Sequence, residues 1–389
     1  MKYKILMLCV GWHLLFPFSL WGEEKPIQVK PTIKIAVIAN FSVPNPSTSN
    51  PYGGHFLNGV QIAIDEYNTR SDSKFQIQLV TIDHGDVKMR ALDAVQKGVE
   101  LQTLGAIGFA YSDYAMLATL AADQKQYPII TPSATADNLA QKSSYLFQAS
   151  FNDSAQGTVL AQYAAETLAD KRVAIIEATD CTYCLSLSEA FQKAFAKRTG
   201  ISNVYHIAEE DRRFQPLLKQ IIDVGFKAIM LPLHGFQCGA IVREAIAMGY
   251  QGVFLVGDGW GGDAVSLVTI PQGSAVQVFS TSQWTAQLFN PRNQQFVRAY
   301  HTTFGKNPNN SSALSYDAAQ FLLRAVDSLS PTSPLTKEAL HQALVHVSQF
   351  ETLEGRALRR DGKTVKPVVL FQHAAAGTRL VKVIQPHYQ

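Results

Sequence analysis

The sequence predicts an α/β protein of two doubly wound parallel-sheet lobes joined by a three-crossover hinge. Three observations lead there. The chain has 389 residues, more than one ordinary core accommodates, so two folding units are expected. Strand-length apolar runs alternate with helix-period segments in two successive series, the pattern of parallel sheets covered by crossover helices. Runs such as IKIAVIA (33–39) and RVAIIE (172–177) are apolar without alternation, as in strands covered on both faces.

In the first series, strands are expected at 33–39, 75–82, 105–109, 128–130 and 145–149. Between them, Phe56, Val60, Ala63, Ile64 and Tyr67 recur at helical spacing, and 87–104 and the segment up to Gln124 also read as helices. The second series places helix at 155–168, strand at 172–177, helix at 185–197, strand at 204–207 and helix at 214–224. Strand at 228–233, helix at 240–248 and strands at 253–256 and 276–280 complete it. The tail has helices at 296–304, 313–329 and 336–345, then strands near 356–359, 368–372 and 380–384. Asp361-Gly362 predicts a hairpin between the first two of these strands. Elements left over after two complete series imply that the chain crosses back. The first lobe is assigned 32–150 and 283–348, the second 151–282 and 349–389.

Apolar residues make up 47% and charged residues 17% of the chain, with a net charge of +3, and no dense basic stretch argues for nucleic acid. Residues 1–22 read as a cleaved secretory signal: two lysines, an apolar run from Ile5 to Trp21, then Gly22 and two acids. The mature chain would be periplasmic, with three cysteines, Cys181, Cys184 and Cys238. An odd count in an exported protein suggests one bridge and one free thiol. Cys181-x-x-Cys184 before a helix also fits a redox dithiol, and with His234 and Cys238 a metal site is conceivable. A disulfide between two of the three is the expectation.

Ligands of open parallel sheets sit beyond the carboxyl ends of the strands. In the first lobe these ends run into Tyr52, into Tyr111-Ser112-Asp113, and into Ser133-Ala134-Thr135. Hydroxyls and amides at helix starts favour an anion, although plain helix capping explains Ser and Thr there equally well. In the second lobe they run into 179–184, 234–238 and Gly257-Asp258-Gly259-Trp260. An anion site facing an isolated acid suits a zwitterion, and Tyr52, Tyr111, Tyr183, Phe236 and Trp260 would supply amphipathic walls. Gly257-x-Gly259-x-x-Gly262 matches a dinucleotide fingerprint, but Asp258 inside it would repel a pyrophosphate. Asp83, His84 and Asp86 read as a solvated loop.

Several stretches, in this order and spacing, carry a more specific resemblance. They are GVQIAIDEYN (59–68), AIGFAYS (106–112), ITPSATADNL (130–139), FQASFNDSAQG (147–157), LVGDGW (255–260) and LSYDAAQFL (314–322). From about Ile33 to Ile384 the chain resembles exported solute-binding proteins of the leucine/isoleucine/valine-binding family, with the type I periplasmic-binding fold. The resemblance implies a non-enzymatic receptor that captures a small amino acid or related zwitterion and delivers it to an inner-membrane ABC permease. It implies that Ser112 and Thr135 bind the ligand carboxylate and that the Ser133 carbonyl and Asp258 meet its ammonium. Tyr183 would cover the ligand and Tyr52 would line its side-chain pocket. No cofactor or resident metal is expected. Departures are a longer loop at 41–51, Asp113 where small hydroxyls are common, and Asp258 in place of the longer glutamate. Rivals are a sensor of the same fold acting on a receptor or cell-wall enzyme, a redox enzyme using Cys181 and Cys184, and a structural protein with a dead cleft.

Overall fold

The computed structural model describes residues 30–42, 52–261 and 268–385, apart from the side chain of Tyr52. The signal segment 1–22, Gly262, most of the 41–51 loop and the Tyr52 side chain therefore lie outside the described residues.

The first lobe is a five-stranded, all-parallel sheet ordered β2-β1-β3-β4-β5. Its strands are β1 (Thr32–Ala39), β2 (Gln76–Asp83), β3 (Gly105–Gly108), β4 (Ile129–Thr131) and β5 (Leu146–Gln148). Helices α1 (Tyr52–Thr69), α2 (Arg90–Glu100), α3 (Ser112–Lys125) and α4 (Leu139–Lys142) follow the first four strands in turn. Strands β3, β4 and β5 are buried throughout, which explains their unalternated apolar runs.

The second lobe holds a seven-stranded sheet ordered β15-β14-β10-β9-β8-β6-β7. Strands β6 (Arg172–Ala178), β7 (Ile201–Ile207), β8 (Ala228–Leu231), β9 (Val253–Val256) and β10 (Gln277–Ser282) are mutually parallel. Helices α5 (Asp153–Thr167), α6 (Thr182–Ala196), α7 (Gln215–Val224) and α8 (Gly235–Ala247) alternate with them. Two antiparallel strands, β14 (Val368–Ala374) and β15 (Gly377–Ile384), complete one edge.

Between β10 and β14 the chain returns to the first lobe. Helices α9 (Pro291–Phe304), α10 (Asn310–Val326) and α11 (Lys337–Val345) place Phe296, Tyr300, Leu314, Phe321, Leu322 and Leu340 in the core that also holds Ile35 and Val37 of β1. Helix α10 starts three residues earlier than the apolar pattern suggests. Asn309 and Ser312 form a reciprocal capping box, so the start is set by hydrogen bonds rather than by periodicity. Gly59 brings α1 against α10: a Cβ there would lie 1.9 Å from the Ser312 carbonyl oxygen.

Two tail assignments need correcting. Strands β11 (Gln349–Thr352), β12 (Gly355–Arg360) and β13 (Lys363–Val365) form their own antiparallel sheet, and Phe350, Leu353 and Ala357 join the first-lobe core. Arg359 lies 4.7 Å over the Phe321 ring and donates to the Gln148 carbonyl at 3.2 Å, while Thr364 Oγ1 donates to the same carbonyl at 2.6 Å. The chain thus regains the second sheet at β14, not at residue 349. The Asp361-Gly362 turn does form, with φ of 51° and 77°, the left-handed pair of a tight hairpin turn. It joins β12 to β13, three residues long and unforeseen, rather than to 368–372.

The last return to the second lobe passes a buried ion cluster. Lys366 Nζ lies 2.8 Å from Asp317 Oδ2 of α10 and 2.9 Å from Glu354 Oε2. Asp317 Oδ1 accepts from the Leu353 N–H at 2.9 Å. The Lys366 and Glu354 side chains are fully buried. Burial and the Asp317 charge push the Glu354 carboxyl up to about 8, against the opposing pull of Lys366. Burial and Asp317 thus resist ionisation of Glu354 while Lys366, paired with both acids, favours it.

Candidate functional site

The carboxyl ends of the two sheets face each other across a cleft, and the predicted residues sort onto its two walls. On the first-lobe wall, Ser112 opens α3. The residue before it, Tyr111, is extended and provides no side-chain cap, so the first-turn amides of α3 point outward from the strand end. Ser112 Oγ accepts from the Ala136 N–H at 3.2 Å, tying the ends of β3 and β4 together.

The hydroxyls at the end of β4 divide into two groups. Thr131 Oγ1 donates to the Phe109 carbonyl at 2.6 Å, and Ser133 Oγ donates to the Ala110 carbonyl at 2.8 Å. These two serve the fold. The Ala134 carbonyl is turned inward, accepting from Gln148 Nε2 and Ser150 Oγ, both at 2.9 Å. The Ser112 hydroxyl hydrogen and the Thr135 N–H have no hydrogen-bond acceptor among the described residues. Both residues are buried.

On the second-lobe wall, Asp258 ends β9. Its Oδ1 accepts from Gln156 Nε2 at 3.0 Å and its Oδ2 from Gln283 Nε2 at 2.8 Å. The Tyr183 hydroxyl also bonds the Asp258 carboxylate and accepts from the Gly259 N–H at 3.1 Å. Burial raises the Asp258 pKa despite these donors. The glycines flanking Asp258 explain the fingerprint-like spacing. A Cβ on Gly257 would lie 2.2 Å from the Tyr183 hydroxyl, and one on Gly259 2.4 Å from the Leu233 carbonyl oxygen. They make room for the protein itself.

Asp153, the first residue of α5, stands between the walls. Its N–H donates to the Thr135 carbonyl at 2.8 Å, and its Oδ1 accepts from Gln156 Nε2 at 2.7 Å. It is fully buried, and its Oδ2 has no hydrogen-bond partner among the described residues. Burial first, then the nearby Asp258 charge, push its pKa up to about 8. A folded pKa above the unfolded value means the native state holds a proton the unfolded chain has released. Stability from this group is full below about pH 4 and falls as pH rises toward 8. Thermal melts of the native protein between pH 5 and 8 should show that decline, and Asp153→Asn should flatten it; an unchanged slope would contradict the assignment.

Asp153 and Gln156 stand three positions apart on one face of α5, a spacing visible in the sequence but not used. Gln283 follows a strand with no pattern to mark it. His234 belongs to the strand end at 234–238. Its ring stacks on Tyr183 (centroids 5.1 Å apart, planes at 20°) and meets Tyr111 edge-on at 5.1 Å, so it lines the cleft rim.

Several expectations fail. Asp113, the departure noted above, joins the lobes: its Oδ1 accepts from the Thr182 N–H at 2.9 Å and Oγ1 at 2.8 Å. Phe236 is exposed, with the Arg212 guanidinium 5.2 Å over its ring, and Trp260 packs toward His373 of β14. His84 is buried against Tyr114 and Phe109, while Asp83 and Asp86 are exposed, so the solvated-loop reading holds for the two acids and not for the histidine. The disulfide joins Cys181 to Cys184. Cys238 is buried away from it, bonds the Leu233 carbonyl at 3.2 Å and has its thiol pushed up to about 12 by burial, which leaves it inert.

Further contacts join the lobes around this belt. Lys88, after β2, pairs with Glu209, beyond β7. The Asp137 N–H donates to Ser186 Oγ of α6 at 3.1 Å.

Residues 32–378 match the family described as Periplasmic binding protein. The chain belongs to that family. Among curated periplasmic binding protein relatives, the Leu/Ile/Val-binding protein homolog 1 of Brucella suis biovar 1 is 22% identical over 325 residues, 82% of this chain and 85% of the relative. The leucine-binding protein LivK of Thermotoga maritima superposes with a TM-score of 0.80 at 24% identity, covering 91% of this chain and 99% of that one. An ABC-transporter solute-binding protein from R. palustris, solved with benzoate, gives 0.77 at 17% identity over 91% and 97%. Likenesses at such identities establish the two-lobed type I periplasmic-binding fold.

Proposed function

We propose that this is a non-enzymatic, exported solute-binding protein that captures a small amino acid or related zwitterion between its lobes and delivers it to an ABC permease. One observation carries the reading. Unused donors on the first-lobe wall, the Ser112 hydroxyl and Thr135 N–H, stand across the cleft from a carboxylate group, Asp258 with Asp153 beside it. Donors without acceptors suit a ligand carboxylate. The Asp258 carboxylate and Gln283 Oε1, a buried acceptor without a donor, suit an ammonium.

In this reading the ligand docks first on Ser112 and Thr135, with the first-turn amides and dipole of α3 favouring its negative end. Closure then brings Asp258, Tyr183 and His234 over it. A ligand stabilises the closed form only through contacts it makes to both walls. The names of the Brucella and Thermotoga relatives support an amino-acid ligand, and the N-terminal signal pattern supports export. The R. palustris relative points to a second candidate, an acid with no ammonium, which the two buried acids disfavour.

A thermal-shift screen with amino acids, simple amides and aromatic acids tests the proposal, because a ligand specific to the native state must raise the melting temperature. Stabilisation by aromatic acids alone would overturn the zwitterion. Stabilisation by none would overturn the receptor. Ser112→Ala should cost carboxylate ligands ~1.5–3 kcal/mol, the worth of a hydrogen bond to a charged group, and their amides less. Equal losses by calorimetry would remove Ser112 from that role.

A further inference from the structure

We propose that Cys181, Cys184, His234 and Glu209 become, once the disulfide is reduced, a four-coordinate site for a thiophilic divalent cation of the zinc class. The inference stands apart from the proposed receptor function. It rests on four donor groups on three successive strand-end segments of the second lobe, which the sheet order places side by side.

The distances fit. Cys181 Sγ lies 3.8 Å from His234 Nε2, and the ligand atoms of Cys181, Cys184 and His234 lie within 4.8 Å of one another. Glu209 Oε1 lies 3.9 Å from His234 Nε2, while its other oxygen is occupied by Lys88. Metal–sulfur bonds of ~2.3 Å and metal–nitrogen bonds of ~2.0–2.1 Å give tetrahedral edges of roughly 3.5–3.8 Å. Two thiolates, an imidazole and a carboxylate are a donor set for Zn2+ and disfavour Ca2+ and Mg2+. Asp113, from the opposite lobe, also lies within 4.8 Å of Cys181, Glu209 and His234. A second-lobe site would therefore sit at the cleft rim. Cys181 caps α6 and already accepts from the Cys184 N–H at 3.2 Å, a contact that would stabilise a thiolate.

The balance is simple. A dithiol or phosphine reductant supplies two electrons, the sulfur–sulfur bond breaks, and each sulfur takes a proton; a dithiol ends as its own disulfide, a phosphine as its oxide. Metal binding then releases the two thiol protons. Disulfide and bound metal exclude each other, so the site exists only under reducing conditions.

The test is a Co2+ titration of the full mature chain with and without phosphine reduction, followed by Zn2+ competition. The expected result is one Co2+ per chain in the reduced protein, with thiolate-to-cobalt charge transfer and the visible bands of tetrahedral cobalt, displaced by Zn2+. Neither should appear in the oxidised protein or in a Cys181→Ser/Cys184→Ser double variant. His234→Ala should weaken Co2+ at least about tenfold, since one of four bonds is lost. Glu209→Gln, a partly exposed position that leaves the core intact, should weaken it as well. Absence of these bands in reduced protein, their persistence in the double cysteine variant, or indifference to both His234→Ala and Glu209→Gln would overturn the proposal. So would unfolding of the chain on reduction.

Discussion

Asp258→Asn is expected to weaken a cationic ligand by ~2–5 kcal/mol, on the order of 30- to 4,000-fold in Kd, while leaving the protein folded and no less stable. Most of the loss comes from an ammonium sealed in the closed cleft without its counter-charge. The native state should tolerate the change because the carboxylate is already a cost to it: burial raises the Asp258 pKa, and Asp258 in turn raises that of Asp153. The hydrogen bonds can be remade. Gln283 Oε1 has no partner among the described residues, so rotating that amide turns an acceptor toward the new Asn Nδ2. Calorimetry on a ligand found by thermal shift, beside a melt of the unliganded variant, reads both halves. Unchanged affinity would take Asp258 out of the ligand site, and a large fall in melting temperature would make it a structural residue.

Lys366→Met should destabilise the fold by ~3–5 kcal/mol, the usual cost of removing one partner of a buried pair. The methionine fills the volume but leaves Asp317 facing Glu354 with no cation between them. Burial and the Asp317 charge both resist ionisation of Glu354, so removing Lys366 leaves two buried acids with no cation to offset them. Replacing the whole cluster, Asp317→Leu with Glu354→Met and Lys366→Met, should recover most of the loss, since buried ion pairs and apolar isosteres are often of similar stability. Melting temperatures of the single and triple variants decide it. A single variant within about 1 kcal/mol of the parent would show that Asp317 finds solvent the structure does not give it.

The central strands were legible because they are buried on both faces, which leaves an unmistakable apolar run, as at 253–256. What escaped was held by specific bonds. The start of α10 depends on a capping box, and the three-stranded sheet at 349–365 depends on Arg359 and Thr364 reaching Gln148. Neither leaves a periodic trace. At the cleft, strand ends predicted the right segments, but not which atoms the fold consumes. The Ser133 hydroxyl is spent on Ala110, which leaves the role expected of its carbonyl untouched. Asp113 stood out only as a departure from the resemblance, and it grips Thr182. Asp153 and Gln156 lie in FQASFNDSAQG with nothing local to mark them, because their importance comes from Asp258, about a hundred residues away.

The ring closed by Cys181 and Cys184 contains only Thr182 and Tyr183. One of these fastens the second lobe to Asp113; the other reaches Asp258 and Gly259. A fastener and a reader of chemistry are thus mounted on the same rigid clip, so neither can shift without the other. In a receptor built this way, how long a guest stays and which guest is accepted are not separately adjustable at this corner. Residence time alone can be tuned instead at Lys88 and Glu209, whose pairing joins the halves without touching Asp258.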